Sequence, residues 1–509
     1  MHPSHHATVS PDKAACIIAD TGATVTYREL DARSNQAAHL FRSRGLKPGG
    51  MIAVFMHNTA RYFDVVWGAQ RSGLYYVCAP VRLTAPELRY ILADAKVKLV
   101  IASADLAETA RKASEGLDIE LFSIDGDAPG ARSFEAACAD LPATPIADEA
   151  PGQDMLYSSG TTGQPKGILR PRPEGPIDAP SPVTVLAQTL YAMDAESIYL
   201  CPAPLYHAAP LRYSMSVHQL GGTVILMTKF DPEAALAAIE RWRVTHAQWV
   251  PTHFVRMLKL PEAVRTAYDI SSLTCTFHAA APCPVDIKQQ MIDWWGPIVH
   301  EYYSSTELNG FTAATAEEWL SHKGTVGRAI IGTIRICGED GEALPTGSEG
   351  LVYFEGGNPI AYHNDPEKTR KAANQHGWTT VGDIGWVDEE GYLYLTDRQN
   401  FMIISGGVNI YPQEIENLLV THPKVADAAV IGAPDADLGE KVVAIVQPSD
   451  PSGSQAELRD ELLAFLQQRL SRVKIPRQID FIDQLPREPT GKLFKRLLRD
   501  RYWAESGAR

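Results

Sequence analysis

Apolar positions in the first hundred residues alternate between a helical period and short continuous runs. Residues 26–45 carry apolar side chains at helical spacing, Thr26 and Glu29 stand at the spacing of a capping box, and Gly45 can end the helix. Strands that alternate with helices indicate a mainly parallel sheet covered by helices, so we expect an α/β fold here. The predicted strands are residues 51–56, 75–78 and 97–101, and the further helices are residues 62–70 and 85–95.

The pattern changes further along the chain. Residues 125–153 and 170–182 are rich in Pro, Ala or Asp and are predicted to be irregular. From residue 324 to residue 396, short β-like runs are punctuated by Gly and Asp, which is typical of a small β-barrel-like subdomain or an extra sheet. These runs are residues 333–337, 350–355 and 392–396.

After Asp397 the sequence alternates short helices with short strands, which favours a compact α+β domain. The chain is too long for one ordinary core. We therefore expect a large N-terminal domain of residues 1–397 and a small, mobile C-terminal domain of residues 398–509. The predicted helices of the small domain lie near residues 415–419 and 458–466, and its strands are residues 425–431, 442–446 and 479–482.

Composition narrows the class of protein. Of the 509 residues, 45% are hydrophobic and 21% are charged, and no apolar run approaches the ~20 residues that span a bilayer, which argues against an integral membrane protein. Residues 1–10 lack the apolar centre of a signal peptide, so we expect a solvated tail and a cytoplasmic protein. The formal net charge of −14 argues against a nucleic-acid partner. The seven cysteines are scattered, with no CxxC pair, and are expected to be reduced structural thiols.

Residues 157–167 (YSSGTTGQPKG) are typical of a phosphate-binding loop. Glycines let the backbone curl so that N–H and hydroxyl groups surround phosphate oxygens, and Lys166 adds a positive charge. No GK[ST] follows the first glycine at the Walker A spacing, which argues against a P-loop NTPase. The residues expected to contact phosphate are Ser158, Ser159, Gly160, Thr161, Thr162, Gly163 and Lys166.

Six further short motifs follow in order: residues 279–282 (AAAP), 303–307 (YSSTE), 382–383 (GD), 397–398 (DR), 405–409 (SGGVN) and 489–492 (PTGK). Together with the loop, they closely resemble, over nearly the whole chain, the adenylate-forming superfamily of acyl-CoA synthetases, carrier-protein adenylation domains and beetle luciferases. Within it the chain is most similar to fatty-acyl- or aryl-CoA ligases. The resemblance implies that a carboxylic acid is activated with MgATP as an acyl-adenylate and then passed to the thiol of coenzyme A.

The residue types of these motifs suit a nucleotide. Tyr303 offers an aromatic face for adenine, Thr306 a hydroxyl for phosphate, and Glu307 a carboxylate for Mg²⁺, which takes hard oxygen ligands. The carboxylate of Asp383 can accept hydrogen bonds from both ribose hydroxyls, and Arg398 is expected to be the second nucleotide contact. The resemblance implies the same roles. Taken alone, Asp383 and Arg398 would more often be read as partners in surface salt bridges.

Further roles follow from the resemblance. Ala280, Ala281 and Pro282 are expected beside the adenine, in a segment that carries alanines where the superfamily commonly carries glycines. Thr161 is expected at the Mg²⁺ together with Glu307.

Lys492 follows a Pro-Thr-Gly turn that can present a long cationic side chain at the tip of a loop. The resemblance implies that it bridges carboxylate and α-phosphate oxygens during adenylation; the alternative is a solvated lysine in a basic run. The second half-reaction then requires the small domain to turn another face toward the site. The implied hinge is Asn400, and Gly406 and Gly407 are expected along the pantetheine channel.

The acid pocket is expected around residues 204–210, 277–281 and 302–303, which are largely apolar. No acidic residue lies near the first segment to pair an ammonium, so a free amino acid is disfavoured. The resemblance implies that His207 gates entry of the carboxylate, whereas a satisfied core histidine is the alternative. We therefore expect a largely apolar acid with a medium-to-long chain or a ring.

Three functions stay open from the sequence. The first is an acyl-CoA ligase, and the second is a stand-alone adenylation enzyme that loads an acyl or aryl group onto a carrier-protein phosphopantetheine. The third, a non-catalytic nucleotide-binding homologue, is disfavoured because the charged and hydroxyl residues of the motifs are all present. The expected co-substrates are ATP, Mg²⁺, coenzyme A and a small carboxylic acid. The identity of the acid and the oligomeric state, a homodimer included, are left open.

Overall fold

The capping box predicted at the start of the first long helix forms in the computed structural model, which describes residues 1–158, 165–487 and 493–505. The backbone N–H of Glu29 donates to Thr26 Oγ1 at 3.3 Å, and the N–H of Thr26 donates to the Glu29 carboxylate at 2.9 Å. Two N–H groups without intrahelical partners are thereby satisfied at the start of helix Tyr27–Ser43.

The chain divides into two compact units. The first comprises Met1–Gln248, Pro261–Thr276 and Ala361–Thr369, and the second comprises Trp249–Leu260, Phe277–Ile360 and the residues from Arg370 onward. The expected boundary between residues 397 and 398 stays a prediction.

The first unit is built on mostly parallel strands, as the α/β pattern predicts. Predicted strands 51–56, 75–78 and 97–101 form within two residues of the expected bounds. One sheet has the order Arg132–Ser133, Glu120–Ile124, Leu99–Ser103, Met51–Phe55, Tyr75–Cys78, Gln153–Ser158, Lys166–Ile168, and only its last pair is antiparallel. Five strands of another sheet run in the order His246–Trp249, Ile198–Cys201, Thr223–Leu226, Ala14–Ile18, Thr24–Thr26, again with only the last pair antiparallel.

Helices cover these strands. Besides Tyr27–Ser43 they are Pro3–Val9, Arg61–Arg71, Ala85–Asp94, Ala107–Ser114, Phe134–Cys138, Pro182–Tyr191, Ala208–Leu220, Pro232–Trp242 and Glu262–Arg265, with a 3₁₀ turn at Ala104–Leu106. Helix Pro366–Lys371 begins in this unit. No helix formed by the described residues is long and apolar enough to cross a membrane.

The second unit contains antiparallel sheets. The small β-rich subdomain predicted at residues 324–396 forms a four-stranded sheet in the order Thr333–Cys337, Gly350–Glu355, Asp383–Val387, Leu393–Arg398. Four further strands precede this sheet in sequence: Cys275–His278, Val299–Ser304, Phe311–Ala314 and Arg328–Ile331. The last three pair antiparallel in that order. The helices before residue 397 are Pro251–Leu258, Val285–Trp295 and Ala316–Ser321.

The predicted α+β tail has one mixed sheet packed against helices Pro412–Thr421 and Gln455–Gln467. Its strand order is Val408–Ile410, Ile403–Ser405, Gly439–Pro448, Val425–Asp435, with Gln478–Phe481 parallel beside the third. The remaining elements are helix Lys495–Glu505 and 3₁₀ turns Gln399–Phe401 and Arg472–Lys474. Both predicted helices contribute to its core, since Ile415, Leu419, Leu462 and Leu466 are all fully buried.

Two expectations were wrong. Residues 1–10 are not a solvated tail, because Pro3–Val9 is a helix whose flanking His2 lies edge-on to Trp67 with ring centroids 5.0 Å apart. Buried His6 hydrogen-bonds the carbonyl of Gln219 at 3.0 Å. Residues 125–153 also contain helix Phe134–Cys138. His2 and His6 find their partners far along the chain, which local composition does not reveal.

The cysteines agree with the expectation of structural thiols. All seven are free, and all but Cys283 are buried. Burial raises the pKa of the Cys201 thiol to about 12, so it stays protonated and unreactive at neutral pH.

A buried ion triad anchors the hairpin that carries the phosphate-loop sequence. Asp154, at the start of that hairpin, accepts from Arg170 Nη2 through one carboxylate oxygen and from Arg212 Nη2 through the other, both at 2.7 Å. Burial would raise the pKa of Asp154, but the two guanidinium groups overcome this and hold it at about 2. The triad thus ties both ends of the hairpin to helix Ala208–Leu220.

Replacing Asp154 with Asn should destabilise the protein at neutral pH by about 3 kcal/mol, because two partly buried arginines lose their shared buried counter-charge. The folded-state pKa lies below the ~3.9 of a free aspartate, so the charged form contributes full stability above about pH 4, and this contribution disappears as the pH falls toward 2. Thermal unfolding of the wild type and variant from about pH 7 to about pH 3 should give a difference in Tm that narrows on acidification. A difference that stays constant would contradict this account.

Candidate active site

The phosphate-loop sequence lies on a β-hairpin of the first unit. Strands Gln153–Ser158 and Lys166–Ile168 pair with Ser158 opposite Lys166 and Tyr157 opposite Gly167. The side chain of Ser158 and the expected contacts Ser159, Gly160, Thr161, Thr162 and Gly163 lie outside the described residues. Lys166 therefore stands at the base of the loop.

The ammonium group of Lys166 has a carboxylate partner that the sequence did not indicate. Lys166 Nζ lies 2.6 Å from Asp365 Oδ2, with both side chains about one fifth exposed, at 21% and 24%. The hydrogen bond from this ammonium lowers the pKa of Asp365, and the same bond raises the pKa of Lys166. Lys166 is thus charged, and Asp365 orients its ammonium group.

Three of the expected nucleotide contacts meet in the second unit. Tyr303 Oη donates to Asp383 Oδ2 at 2.5 Å, and Arg398 Nε donates to Asp383 Oδ1 at 2.9 Å. Asp383 and Arg398 are directly opposite each other on paired strands, which fixes their separation. Burial, followed by the charge of Asp383, raises the pKa of Tyr303 well above its usual value, so it stays a hydrogen-bond donor. Asp383 and Arg398 do form the salt bridge that each residue taken alone would suggest. Tyr303 joins it as the third member of the network.

Thr306 and Glu307 lie in the turn after strand Val299–Ser304, and Glu307 is 8% exposed. The turn is held by Ser304 Oγ, which donates to the carbonyl of Gly310 at 2.7 Å, and by Ser305 Oγ, which donates to Asn309 Oδ1 at 2.9 Å. Within the described residues, no three His, Cys, Asp or Glu side chains are grouped to hold a metal. The carboxylate of Glu307 fits Mg²⁺, which is commonly bound by one or two carboxylates together with substrate phosphates.

Residues 279–282 follow strand Cys275–His278, and Ala280 has φ of +76°. That region is strained for a residue with a Cβ, by about 1 kcal/mol or more. The glycines that the superfamily commonly carries in this segment would relieve the strain. Ala280 is exposed, whereas Ala281 and Pro282 are half-buried.

A buried ion pair that the sequence analysis missed lies at the base of these motifs. Lys288 Nζ is 2.6 Å from Glu301 Oε2, and His278 Nε2 is 3.4 Å from the same oxygen. Burial, reinforced by Lys288, lowers the pKa of His278, which is therefore neutral. His278 directly precedes residues 279–282, and Glu301 lies on the strand that leads to Tyr303. The available signal was that Lys288 shares a helical face with the apolar residues Met291 and Trp295.

His207 is half-buried and directly precedes helix Ala208–Leu220, with its ring 4.5 Å from that of Tyr206. The preceding loop is fixed by Asn58, which the sequence analysis missed. Asn58 Oδ1 accepts from the N–H of Leu205 at 2.8 Å, and its Nδ2 donates to the carbonyls of Ala203 at 3.1 Å and Met227 at 2.9 Å. Asn58 therefore fixes the loop that leads to His207 and to the start of helix Ala208–Leu220.

The expected hinge and pantetheine residues lie close in sequence and are accessible. Asn400 is exposed in the 3₁₀ turn Gln399–Phe401. Gly406 and Gly407 form the turn between strands Ile403–Ser405 and Val408–Ile410, with φ of +57° and +80°. Two consecutive left-handed residues favour glycine at both positions.

Lys492 lies outside the described residues, but both flanks of residues 488–492 are anchored. Arg487 Nη2 donates to Asp427 Oδ1 at 2.7 Å, and Arg487 is bridged antiparallel to Leu493. Lys495 Nζ lies 2.9 Å from Glu416 Oε1, with each side chain only 7% exposed. The described residues on both sides of residues 488–492 are thus held by carboxylates, those of Asp427 and Glu416.

Comparisons with known proteins agree with this arrangement. A family model described as AMP-binding enzyme matches residues 4–360, and one described as AMP-binding enzyme C-terminal domain matches residues 414–492. A feruloyl-CoA synthase of Amycolatopsis sp is 34% identical over 507 residues, covering 98% of each chain. The long-chain-fatty-acid–CoA ligase FadD13 of Mycobacterium tuberculosis is 32% identical over 514 residues, covering 98% of this chain and 97% of that one. The crystal structure of ATP-bound MatB from Rhodopseudomonas palustris superposes with a TM-score of 0.82 at 26% identity over 100% of both chains, which confirms the fold class.

Proposed function

The chain belongs to the AMP-binding enzyme family, and on this basis we propose that it joins a largely apolar carboxylic acid to coenzyme A through an acyl-adenylate. It is an acid–thiol ligase of the AMP-forming acyl-CoA synthetase type, and its co-substrates are ATP with Mg²⁺ and coenzyme A. The observation that carries the proposal is the match over 98% of this chain to two relatives that are both named for forming CoA thioesters.

In the first half-reaction, a carboxylate oxygen attacks the α-phosphorus of ATP and pyrophosphate leaves. Lys166 and the loop residues Ser158 to Gly163 hold the phosphates, and Lys492 stabilises the charge that develops between carboxylate and α-phosphate. Glu307 and Thr161 would hold Mg²⁺, which neutralises phosphate charge when bound. Thr306 donates to a phosphate oxygen.

The nucleoside is held by the network of the second unit. Asp383 accepts from the ribose hydroxyls, Arg398 makes a second contact, and the ring of Tyr303 stacks with adenine beside residues 280–282. The two hydrogen bonds of Asp383 support this assignment, because they fix the orientation of the carboxylate and leave part of its acceptor capacity for ribose.

In the second half-reaction, the thiol sulfur of coenzyme A attacks the acyl carbonyl and AMP leaves. Residues 398–509 turn about Asn400, which withdraws Lys492 and brings Gly406 and Gly407 beside the pantetheine arm. The exposure of Asn400 supports a hinge there, because no buried side chain has to be displaced when its backbone turns.

The acid lies beside His207, Leu205, Phe277 and Tyr302, and His207 controls entry of its carboxylate. Leu205 and Phe277 are fully buried, and the ring of Tyr302 stacks on Phe311 at 5.1 Å. Relatives named for a feruloyl group and for long-chain fatty acids support an apolar acid with a ring or a long chain. A carrier-protein acceptor is not favoured. A cytoplasmic location and a homodimer stay predictions.

Replacing Lys492 with Ala should reduce acyl-adenylate formation by about 10²- to 10³-fold, the effect of losing one charge-stabilising contact. Thioester formation from supplied acyl-adenylate should change little, because no pyrophosphate leaves in that step. Pyrophosphate release and acyl-CoA formation measure the two half-reactions separately. Lys424→Ala is the control, since Lys424 is exposed and pairs with Glu461 on the surface. Equal loss in both half-reactions would refute this role for Lys492.

Replacing Asn400 with Pro should give the opposite asymmetry, because proline fixes φ and removes the N–H at the hinge. Adenylation should be largely retained, whereas thioester formation should fall at least about tenfold if rotation limits that step. Asn400→Ala keeps the N–H and the freedom of φ and should behave like the wild type. Wild-type rates in both half-reactions of the proline variant would place the hinge elsewhere.

The preferred acid should be found by measuring kcat/KM across chain-length and ring series with coenzyme A saturating. We expect kcat/KM to rise with buried hydrocarbon, since each CH₂ removed from water contributes about 0.8 kcal/mol. Acetate, propionate and a free amino acid should be poor substrates. If one of them is the best substrate, the assignment of the pocket is wrong while the adenylation chemistry can still hold.

A further inference from the structure

Residues 361–365 add a third strand-like segment to the hairpin that carries the phosphate loop. Tyr362 is bridged antiparallel to Ile168, and the N–H of His363 donates to the carbonyl of Gly167 at 2.8 Å. A Cβ at Gly167 would come within 2.7 Å of Met155 and 3.2 Å of His363. The segment therefore packs tightly against the strand in which Lys166 is the first residue.

This segment is also fixed from the other side, by the end of helix Ala85–Asp94. The carboxylate of Asp94 accepts from Tyr157 Oη at 2.6 Å and from Asn364 Nδ2 at 3.1 Å. His363 Nε2 hydrogen-bonds the carbonyl of Asp94 at 3.1 Å. One aspartate thus links the hairpin, through Tyr157, to the segment that ends in Asp365.

Each carboxylate oxygen of Asp365 makes a different hydrogen bond. Oδ1 accepts from the N–H of Lys368 at 3.0 Å, which caps helix Pro366–Lys371, and Oδ2 pairs with Lys166 Nζ at 2.6 Å. The cap fixes the side-chain rotamer of Asp365, so the second oxygen is aimed at the lysine by the helix that it starts.

We propose that Asp365 is a positioning residue for Lys166, and that it increases the affinity for the triphosphate of MgATP by holding the lysine ammonium at the base of the phosphate loop. The inference rests on the proposed function. An ammonium has three N–H donors, and the pair with Asp365 occupies one of them, so two stay available for phosphate oxygens. A lysine on a flexible four-carbon stem loses much rotamer freedom when it is fixed, and prior fixation removes that cost from nucleotide binding.

The alternative is that Asp365 weakens nucleotide binding, so the two effects differ in sign. If the carboxylate competed with phosphate for the ammonium, its removal would tighten nucleotide binding. The placement favours positioning, because Asp365 is itself held by the helix cap and by the neighbouring contacts of Asn364 and cannot move aside as a free side chain could.

The decisive variant is Asp365→Asn, since asparagine also caps helices and keeps the shape while removing the charge. The measurement is the equilibrium Kd for a non-hydrolysable MgATP analogue, together with KM for MgATP and for the acid. We expect the Kd and KM for the nucleotide to rise about tenfold, within the range of coupled neighbours, with the KM for the acid unchanged. Thioester formation from supplied acyl-adenylate, which lacks the β- and γ-phosphates, should also be unchanged. Asp365→Glu, which restores the charge without the cap, should recover only part of the affinity.

The matched control is Asp118→Asn, which breaks another Lys–Asp pair of the same unit, the exposed one with Lys98 at 2.8 Å. A cycle with Lys166→Met tests whether Asp365 acts through the lysine: the double variant should bind the analogue like Lys166→Met alone. Additive losses, an unchanged Kd in Asp365→Asn, or tighter binding in that variant would each overturn the proposal. So would a Lys166→Met variant with wild-type affinity. By contrast, a wild type that forms neither acyl-adenylate nor acyl-CoA would refute the proposed function itself.

Discussion

Charge buried in a protein must be paired, and this constraint determines where the motif-bearing loops of this chain begin. A buried ion without a partner costs several kcal/mol, so each such group fixes the position of its counter-ion. Asp154 with Arg170 and Arg212 lies at the base of the phosphate-loop hairpin. Lys288 pairs with Glu301 on the strand that contains Tyr303, and Glu416 pairs with Lys495, which follows residues 488–492 in sequence.

Such pairs give specificity more readily than stability. Replacing a buried ion pair with well-packed apolar residues is often neutral or stabilising, whereas removing one partner is strongly destabilising. Two of these pairs, Glu416 with Lys495 and Asp154 with Arg212, join residues that are distant in sequence. Each pair holds two chain segments in one relative position. The loop that extends from those segments therefore starts from a fixed point. Apolar packing alone would tolerate small shifts that a site with several hydrogen bonds could not.

The sequence predicted much of the fold because the periodic signals are local. The capping box at Thr26, the strands of the first sheet and the helices around Ile415 and Leu462 all depend on neighbours within a few residues. Most of the candidate site was found from motif spacing and the resemblance, not from geometry. The pairing of Lys166 with Asp365 joins residues 199 positions apart, and no local pattern encodes that distance. The same reason explains why burial of His2 and His6 and the role of Asn58 were missed.

Within each unit, polar groups of the candidate site are partly bonded to one another, and this has a chemical consequence. A carboxylate has about four acceptor positions, and Asp383 uses two of them on Tyr303 and Arg398. The ammonium of Lys166 uses one of its three donors on Asp365. In each case one or two hydrogen bonds orient the side chain, and its other donor or acceptor positions stay available. A ligand can therefore bind to the carboxylate or the ammonium without first breaking the bonds that orient it. A site built this way loses little orientational freedom on binding, because the orientation was already fixed when the chain folded.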